Sequence, residues 1–93
     1  MKFCKLRLSE TTQNHLRKLH PLTKSKIRAA LDAIVQDPNE GKSLKDDLVG
    51  LKSYRVGAYR IVYQIKKETI IQIEAIGPRK TIYGDVMKWL GRS

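Results

Sequence analysis

The chain opens on an alternation. Lys2, Phe3, Cys4, Lys5, Leu6, Arg7 and Leu8 alternate polar and apolar positions, a period that predicts a short strand over residues 2–8. Ser9-Glu10-Thr11-Thr12 follows with an N-cap hydroxyl and an early acidic residue, the opening of a first helix. That helix carries Leu16 and Leu19 and stops near His20-Pro21, because a residue before proline avoids the helical region. Ile27, Ala30, Leu31, Ile34 and Val35 then recur at helical spacing, an apolar stripe that defines a second helix. Thr23 is its expected cap and Asp37-Pro38 its expected end. The first part of the chain therefore predicts an amphipathic helical hairpin.

Residues 39–50 predict a polar connecting loop, and beyond them the period changes. Strands over 52–56 and 59–66 flank Gly57-Ala58, a tight turn in which Gly57 can take a positive φ. Tyr59, Ile61, Tyr63 and Ile65 share one face of the second of these strands; Arg60, Val62, Gln64 and Lys66 share the other. Lys66-Lys67-Glu68 turns the chain into a β-branched strand over 69–76, halted by Gly77-Pro78. A last helix over 82–90 turns Ile82, Val86, Trp89 and Leu90 to the core. The order β-α-α-β-β-β-α predicts an α+β fold, a helical hairpin packed on a small, mostly antiparallel sheet with a short C-terminal helix.

Composition bounds this picture without redrawing it. The 93 residues are expected to form a single domain over 1–93, with a modest stability margin. No apolar run approaches the roughly 18 residues of a membrane span, and the N-terminus lacks an apolar signal core, so a cytoplasmic location is expected. The single Cys4 has no internal disulfide partner, in keeping with a reducing compartment, and its place in the first strand suggests a structural thiol. No Cys/His cluster, Gly-rich phosphate loop or Ser-His-Asp order stands out, so neither a metal nor another cofactor is expected. His15 and His20 read as surface residues, and Met87 and Trp89 as core or partner contacts.

Charge changes the picture most. Nineteen Lys and Arg against nine Asp and Glu give +10, of which +6 falls in residues 51–93. Such a potential steers polyanions toward a small body, whether nucleic acid, an anionic membrane or an acidic protein; simple solubility would also account for it.

Arg55, Arg60, Arg79 and Lys80 fall on strand faces or strand ends, with Lys52 nearby and Tyr83 just beyond. Neighbouring strands lie about 4.8 Å apart, so an antiparallel arrangement brings the start of one strand beside the end of the next. Arg60 and Arg79 should therefore be close, and Tyr83, one helical turn on, could reach the same patch. Adjacent guanidinium groups favour a phosphate between them, since the planar fork matches it bidentately. The alternative is a solvated sheet surface paired with Glu74 and Asp85.

Gly50-Leu51-Lys52-Ser53-Tyr54-Arg55-Val56-Gly57-Ala58-Tyr59-Arg60-Ile61-Val62-Tyr63 resembles the central signature of the RelE/ParE superfamily of toxin–antitoxin toxins. Ile76-Gly77-Pro78-Arg79-Lys80-Thr81-Ile82-Tyr83 is similar to its second landmark, a Gly-x-Arg segment followed by Tyr. With length and element order, the resemblance spans nearly the whole chain, RelE branch favoured. It implies a ribosome-dependent mRNA endonuclease that works without metal, the RNA 2′-hydroxyl attacking the adjacent phosphate. It also implies a cognate antitoxin, an acidic partner laid over the basic surface in a hetero-oligomer. By position, Arg60 matches a phosphate-stabilising arginine, Arg79 the arginine serving the leaving group or transition state, and Tyr83 the tyrosine that orients the nucleophile or stacks on a base. Lys52, Arg55 and Lys80 would contact RNA.

The sequence departs from the RelE pattern at one place. Active members carry paired lysines where this chain has Leu51 and Ser53, and strand alternation points Lys52 to the opposite face unless a bulge re-aims it. The general base is thus unassigned. Two other readings stay open: a ParE-like inhibitor of DNA gyrase, and an inactive superfamily member that only binds its antitoxin.

Overall fold

The computed structural model describes residues 5–45, 48–67 and 69–89, the side chain of residue 89 excepted. Cys4, Glu68, Leu90 and the Trp89 side chain, for which the sequence carries expectations, lie outside the described residues. The elements follow the order β1 (Lys5–Leu8), α1 (Glu10–Arg17), α2 (Pro21–Gln36), β2 (Lys42–Ser43), β3 (Lys52–Val56), β4 (Tyr59–Lys66), β5 (Ile70–Pro78) and α3 (Ile82–Trp89). They form an α+β fold around a five-stranded sheet ordered β1-β5-β4-β3-β2. Among the described residues only the β1–β5 pair is parallel; β2–β3, β3–β4 and β4–β5 are antiparallel.

The predicted helical hairpin covers one face of the sheet. Ile27, Ala30, Leu31 and Ile34 of α2 pack against Ile61 and Tyr63 of β4 and Ile71 and Ile73 of β5. Ser9 caps α1, its hydroxyl accepting from the Thr12 amide at 3.1 Å. α2 begins two residues before the expected Thr23. Pro21 occupies its first turn, where a missing N–H costs nothing, and His20 Nδ1 accepts from the Leu22 amide at 3.2 Å.

The opposite face carries a second apolar cluster that the sequence reading did not foresee. Leu48 and Leu51 join Val62, Ala75, Ile82 and Val86, so α3 and the segment before β3 cover this side. The expected polar loop over 39–50 therefore supplies part of the core. A 3-10 turn at Pro38–Glu40 leads into it, and it holds the strand β2. The anchor is Tyr63, fully buried, whose hydroxyl donates to the Pro38 carbonyl at 2.7 Å and accepts from the Gly41 amide at 3.1 Å. A side chain at Gly41 would collide with that hydroxyl.

One further expectation needs correction around β5, and one feature there is new. The strand does not stop at Gly77-Pro78 but runs through both, with Gly77 opposite Arg60 and Pro78 opposite Tyr59. Proline is tolerated in this last position because β1 pairs with β5 only from Ile70 to Ile73, leaving Pro78 at an edge on that side. The new feature is a bulge: Val62 pairs with Ala75 but Tyr63 pairs with Ile73, leaving Glu74 as the extra residue. The bulge reverses the alternation of β5, sending Ile71 and Ile73 to the helical hairpin and Ala75 to α3. The β3–β4 turn is as predicted, with Gly57 at φ 59°.

Candidate active site

The site lies on the α3 face of the sheet, at the boundary between the second cluster and solvent. Directly opposed residues of antiparallel strands share a face. The β3–β4 register sets Ser53 against Val62 and Arg55 against Arg60, so Ser53, Arg55, Arg60 and Val62 all point to the α3 side. Val62 is sealed beneath α3, whereas Arg60 is half-buried and Arg55 exposed. The Arg60 Nη1 donates to Ser53 Oγ at 3.1 Å.

α3 brings Tyr83 to the same point. Ile82 and Val86 face inward and are buried, which leaves Tyr83 on the flank of the helix, half-buried. Gly77 permits this approach, since a Cβ there would stand 3.1 Å from Ile82 Cδ1. The Tyr83 hydroxyl donates to Ser53 Oγ, also at 3.1 Å. Ser53 is 2% exposed, so two of the expected site residues, from different elements, converge on one buried oxygen. A hydroxyl oxygen has two lone pairs, and both are occupied here.

Arg79 is brought close through the backbone, as the strand geometry requires. Its amide donates to the Ala58 carbonyl at 2.8 Å, and it follows Gly77, the partner of Arg60, by two positions. Its side chain serves a different part of the surface. Arg79 lines an open groove of about 440 Å³ with Arg55, Lys80 and the Gly57-Ala58 turn, a lining that does not include Arg60. Lys52 stays on the opposite face: the β3–β4 register is unbroken there, and its Nζ donates to Ser43 Oγ at 3.0 Å. No bulge re-aims it, so its expected place among the RNA contacts on the Arg60 face is not where β3 puts it.

A second groove, of about 460 Å³, opens on the other flank of Tyr83 and is lined by Lys42, Ser43, Leu44, Lys45 and Leu48. The β2–β3 register sets Lys42 directly opposite Ser53, on the Arg60 face. Sequence reasoning missed Lys42 because β2 is only two residues long. The usable signal was Gly41 before it, a residue with no side chain at the point where the loop passes a buried tyrosine.

The basic surface thus runs from Lys42 and Lys45, past Tyr83, Ser53 and Arg60, to Arg55, Arg79 and Lys80. Glu74 of β5 and Asp85 of α3 line separate clefts with Thr11 and Thr12 of α1. Like charges at opposed positions such as Arg55 and Arg60 destabilise a bare sheet, and an anion between them reverses the sign. His15 and His20 are exposed and take no part in the cluster. Among the described residues, no three His, Cys, Asp or Glu side chains converge, and no helix is long and apolar enough to cross a membrane.

Comparison with known proteins agrees with this architecture. Residues 6–83 match the family model described as the ParE toxin of the type II toxin–antitoxin system parDE. The toxin–antitoxin complex RelBE2 of Mycobacterium tuberculosis contains a chain 29% identical, with a TM-score of 0.74, over 85% of this chain and 94% of that one. An Escherichia coli RelE toxin mutant in the free state is 20% identical at a TM-score of 0.76, over 97% and 99% of the two chains. The YoeB–YefM complex of Staphylococcus aureus gives 20% identity and a TM-score of 0.65 over 78% and 93%. Among curated proteins, none matches the chain.

Proposed function

The chain belongs to the ParE toxin family of type II toxin–antitoxin systems, within the RelE/ParE superfamily, and from that premise we propose that it is an mRNA endonuclease acting on ribosome-bound message. The observation that carries this reading is the convergence of Arg60 and Tyr83 on the single buried oxygen of Ser53, within a strongly basic face.

The chemistry asked of these residues is a phosphoryl transfer within RNA. The 2′-oxygen bonds to the adjacent phosphorus while the bond to the 5′-oxygen breaks. The 2′-proton leaves to a base, and the departing 5′-oxygen takes up a proton. Arg60 binds the non-bridging oxygens, whose charge grows in the transition state. Tyr83 orients the 2′-hydroxyl, its own hydroxyl already fixed at hydrogen-bonding distance from the same spot. Arg79 neutralises charge toward the leaving group, and Arg55 and Lys80 hold the flanking backbone from the shared groove. No metal is required by the scheme.

The partner is a cognate antitoxin. The related structures from M. tuberculosis and S. aureus are toxin–antitoxin complexes, and a net charge of +10 suits an acidic segment laid over Arg60 and Arg79. Such a system operates in the cytoplasm, where messages are translated.

A second reading has its own support. The matching family model is that of ParE toxins, and Leu51 and Ser53 stand where the RelE branch carries lysines. On that reading the protein binds DNA gyrase and cleaves nothing. One experiment separates them: purified protein is added to translating ribosomes, with message 5′ ends mapped, and in parallel to gyrase in a supercoiling assay. New 5′ ends at ribosome-occupied codons with unaffected supercoiling are expected. Intact message with inhibited supercoiling overturns the nuclease reading.

A further inference from the structure

We propose that Lys42 belongs to the reaction centre, its ammonium binding the same RNA phosphate as Arg60 from the opposite side of Ser53. The inference rests on the nuclease reading for its consequence in catalysis, though the anion subsite it describes stands independently.

Two separate observations place Lys42 there. The β2–β3 register pairs it directly with Ser53, and opposed residues of antiparallel strands have their Cβ atoms about 4.5–5.5 Å apart on one face. Arg60 reaches Ser53 Oγ from β4, on the other side of β3. Ser53 is thus flanked by a cation from each neighbouring strand. The second observation is the groove of about 460 Å³ in which Lys42 and Tyr83 are both wall residues. A ligand in that groove touches the lysine and the tyrosine together.

The placement of Lys42 is also fixed. Gly41, immediately before it, donates to the hydroxyl of fully buried Tyr63, whose own proton goes to the Pro38 carbonyl. Beyond Lys42, the Leu44 amide donates to the Leu51 carbonyl at 2.9 Å. The backbone of this two-residue edge strand is therefore tied down on both sides, while the Lys42 side chain is exposed and able to meet a ligand. A flexible stem with a compact ammonium suits a phosphate approached at its edge rather than gripped bidentately. Leu44 and Leu48 give the remaining groove wall an apolar surface against which the nucleoside next to that phosphate can rest.

The test uses the full chain and two readouts. In the first, a dinucleotide with a 2′-deoxy sugar, which cannot be cleaved, is titrated while NMR follows the Lys42 side chain, the Tyr83 ring and Lys80. Lys42 and Tyr83 signals should shift along one saturation curve. Shifts confined to Lys80, with Lys42 unmoved, overturn the proposal. In the second, Lys42→Ala should lower the cleavage rate at saturating ribosomes about tenfold or more, as loss of one charge-stabilising group does. Lys42→Arg should restore most of it, and Lys26→Ala, on α2 at the other face of the sheet, should leave it unchanged. Lys42 is exposed, so melting temperatures should be unchanged and misfolding is not an explanation. A Lys42→Ala protein that cleaves at the parental rate overturns the catalytic role. A parent that cleaves nothing, yet shows the joint Lys42 and Tyr83 shift, overturns the nuclease reading and leaves the anion subsite standing.

Discussion

Arg55 and Arg60 stand directly opposite one another across β3 and β4, two guanidinium-bearing residues on one face of the sheet. Such a pair opposes folding in the absence of counter-charge and favours it when an anion is bound. Inorganic phosphate or short single-stranded RNA should therefore raise the melting temperature in a concentration-dependent way. Arg55→Ala should raise the melting temperature in dilute buffer and blunt the response to phosphate. Equal phosphate responses in both proteins would show that the opposed arginines bind no anion.

Arg79 separates binding from chemistry. If it neutralises charge at the leaving group, Arg79→Ala lowers the cleavage rate about 10²-fold, as removal of one transition-state donor commonly does. If it only holds flanking backbone in the groove it shares with Arg55 and Lys80, the loss appears in the Michaelis constant instead. Steady-state cleavage over a range of ribosome concentrations distinguishes the two, and we expect the rate to fall.

Salt should act on the basic face as a whole. Binding to ribosomes or RNA is expected to weaken linearly on a plot of log affinity against log salt, and Lys80→Ala should reduce the slope by about one unit. A response to salt that is flat, or a slope unaltered by the substitution, would argue that these cations do not touch phosphate.

Tyr63 governs stability and its pH dependence. Tyr63→Phe leaves the Pro38 carbonyl and the Gly41 amide without their buried partner, at a cost of about 1–3 kcal/mol measured by urea unfolding. Burial raises the Tyr63 phenol above its ordinary 10.0, the charges of Asp37 and Glu40 adding to the effect and the Gly41 amide opposing it. The native state thus holds this proton more tightly than the unfolded chain. That contribution is fully present below the ordinary phenol value and is lost as pH rises from there through the raised one. The stability gap between parent and Tyr63→Phe should accordingly narrow in strong alkali, and a gap independent of pH would contradict this.

Much of the fold was legible because single-period patterns survive packing. The stripe from Ile27 to Ile34 lies on the sheet as its spacing requires, and the alternation of β4 sorts Ile61 and Tyr63 from Arg60 and Val62. Local patterns failed where a distant partner decides. His20 displaces Thr23 as the α2 cap because Pro21 fits the first turn. The Glu74 bulge inverts the faces of β5 through pairing with β4, which no window on β5 alone contains. Leu48 and Leu51 look like isolated apolar residues in a polar stretch until α3 and Val62 give them a cluster. The site divides the same way. Arg60 and Tyr83 were reachable from motif and register. Ser53 was noticed only as a residue in place of a lysine, and its two hydrogen bonds depend on α3 docking over β3. Lys42 was hidden in a two-residue strand, with Gly41 beside the buried Tyr63 hydroxyl as its one local signal.

The most direct measurement is the chemistry of the ends left on message by the purified protein on translating ribosomes, compared with its Arg60→Ala variant. Attack by the 2′-hydroxyl leaves a cyclic phosphate on one fragment and a free 5′-hydroxyl on the other. The account predicts those ends for the parent, and their loss by about 10²-fold or more in Arg60→Ala. Fragments bearing 5′-phosphates, or undiminished cleavage by the variant, would contradict it.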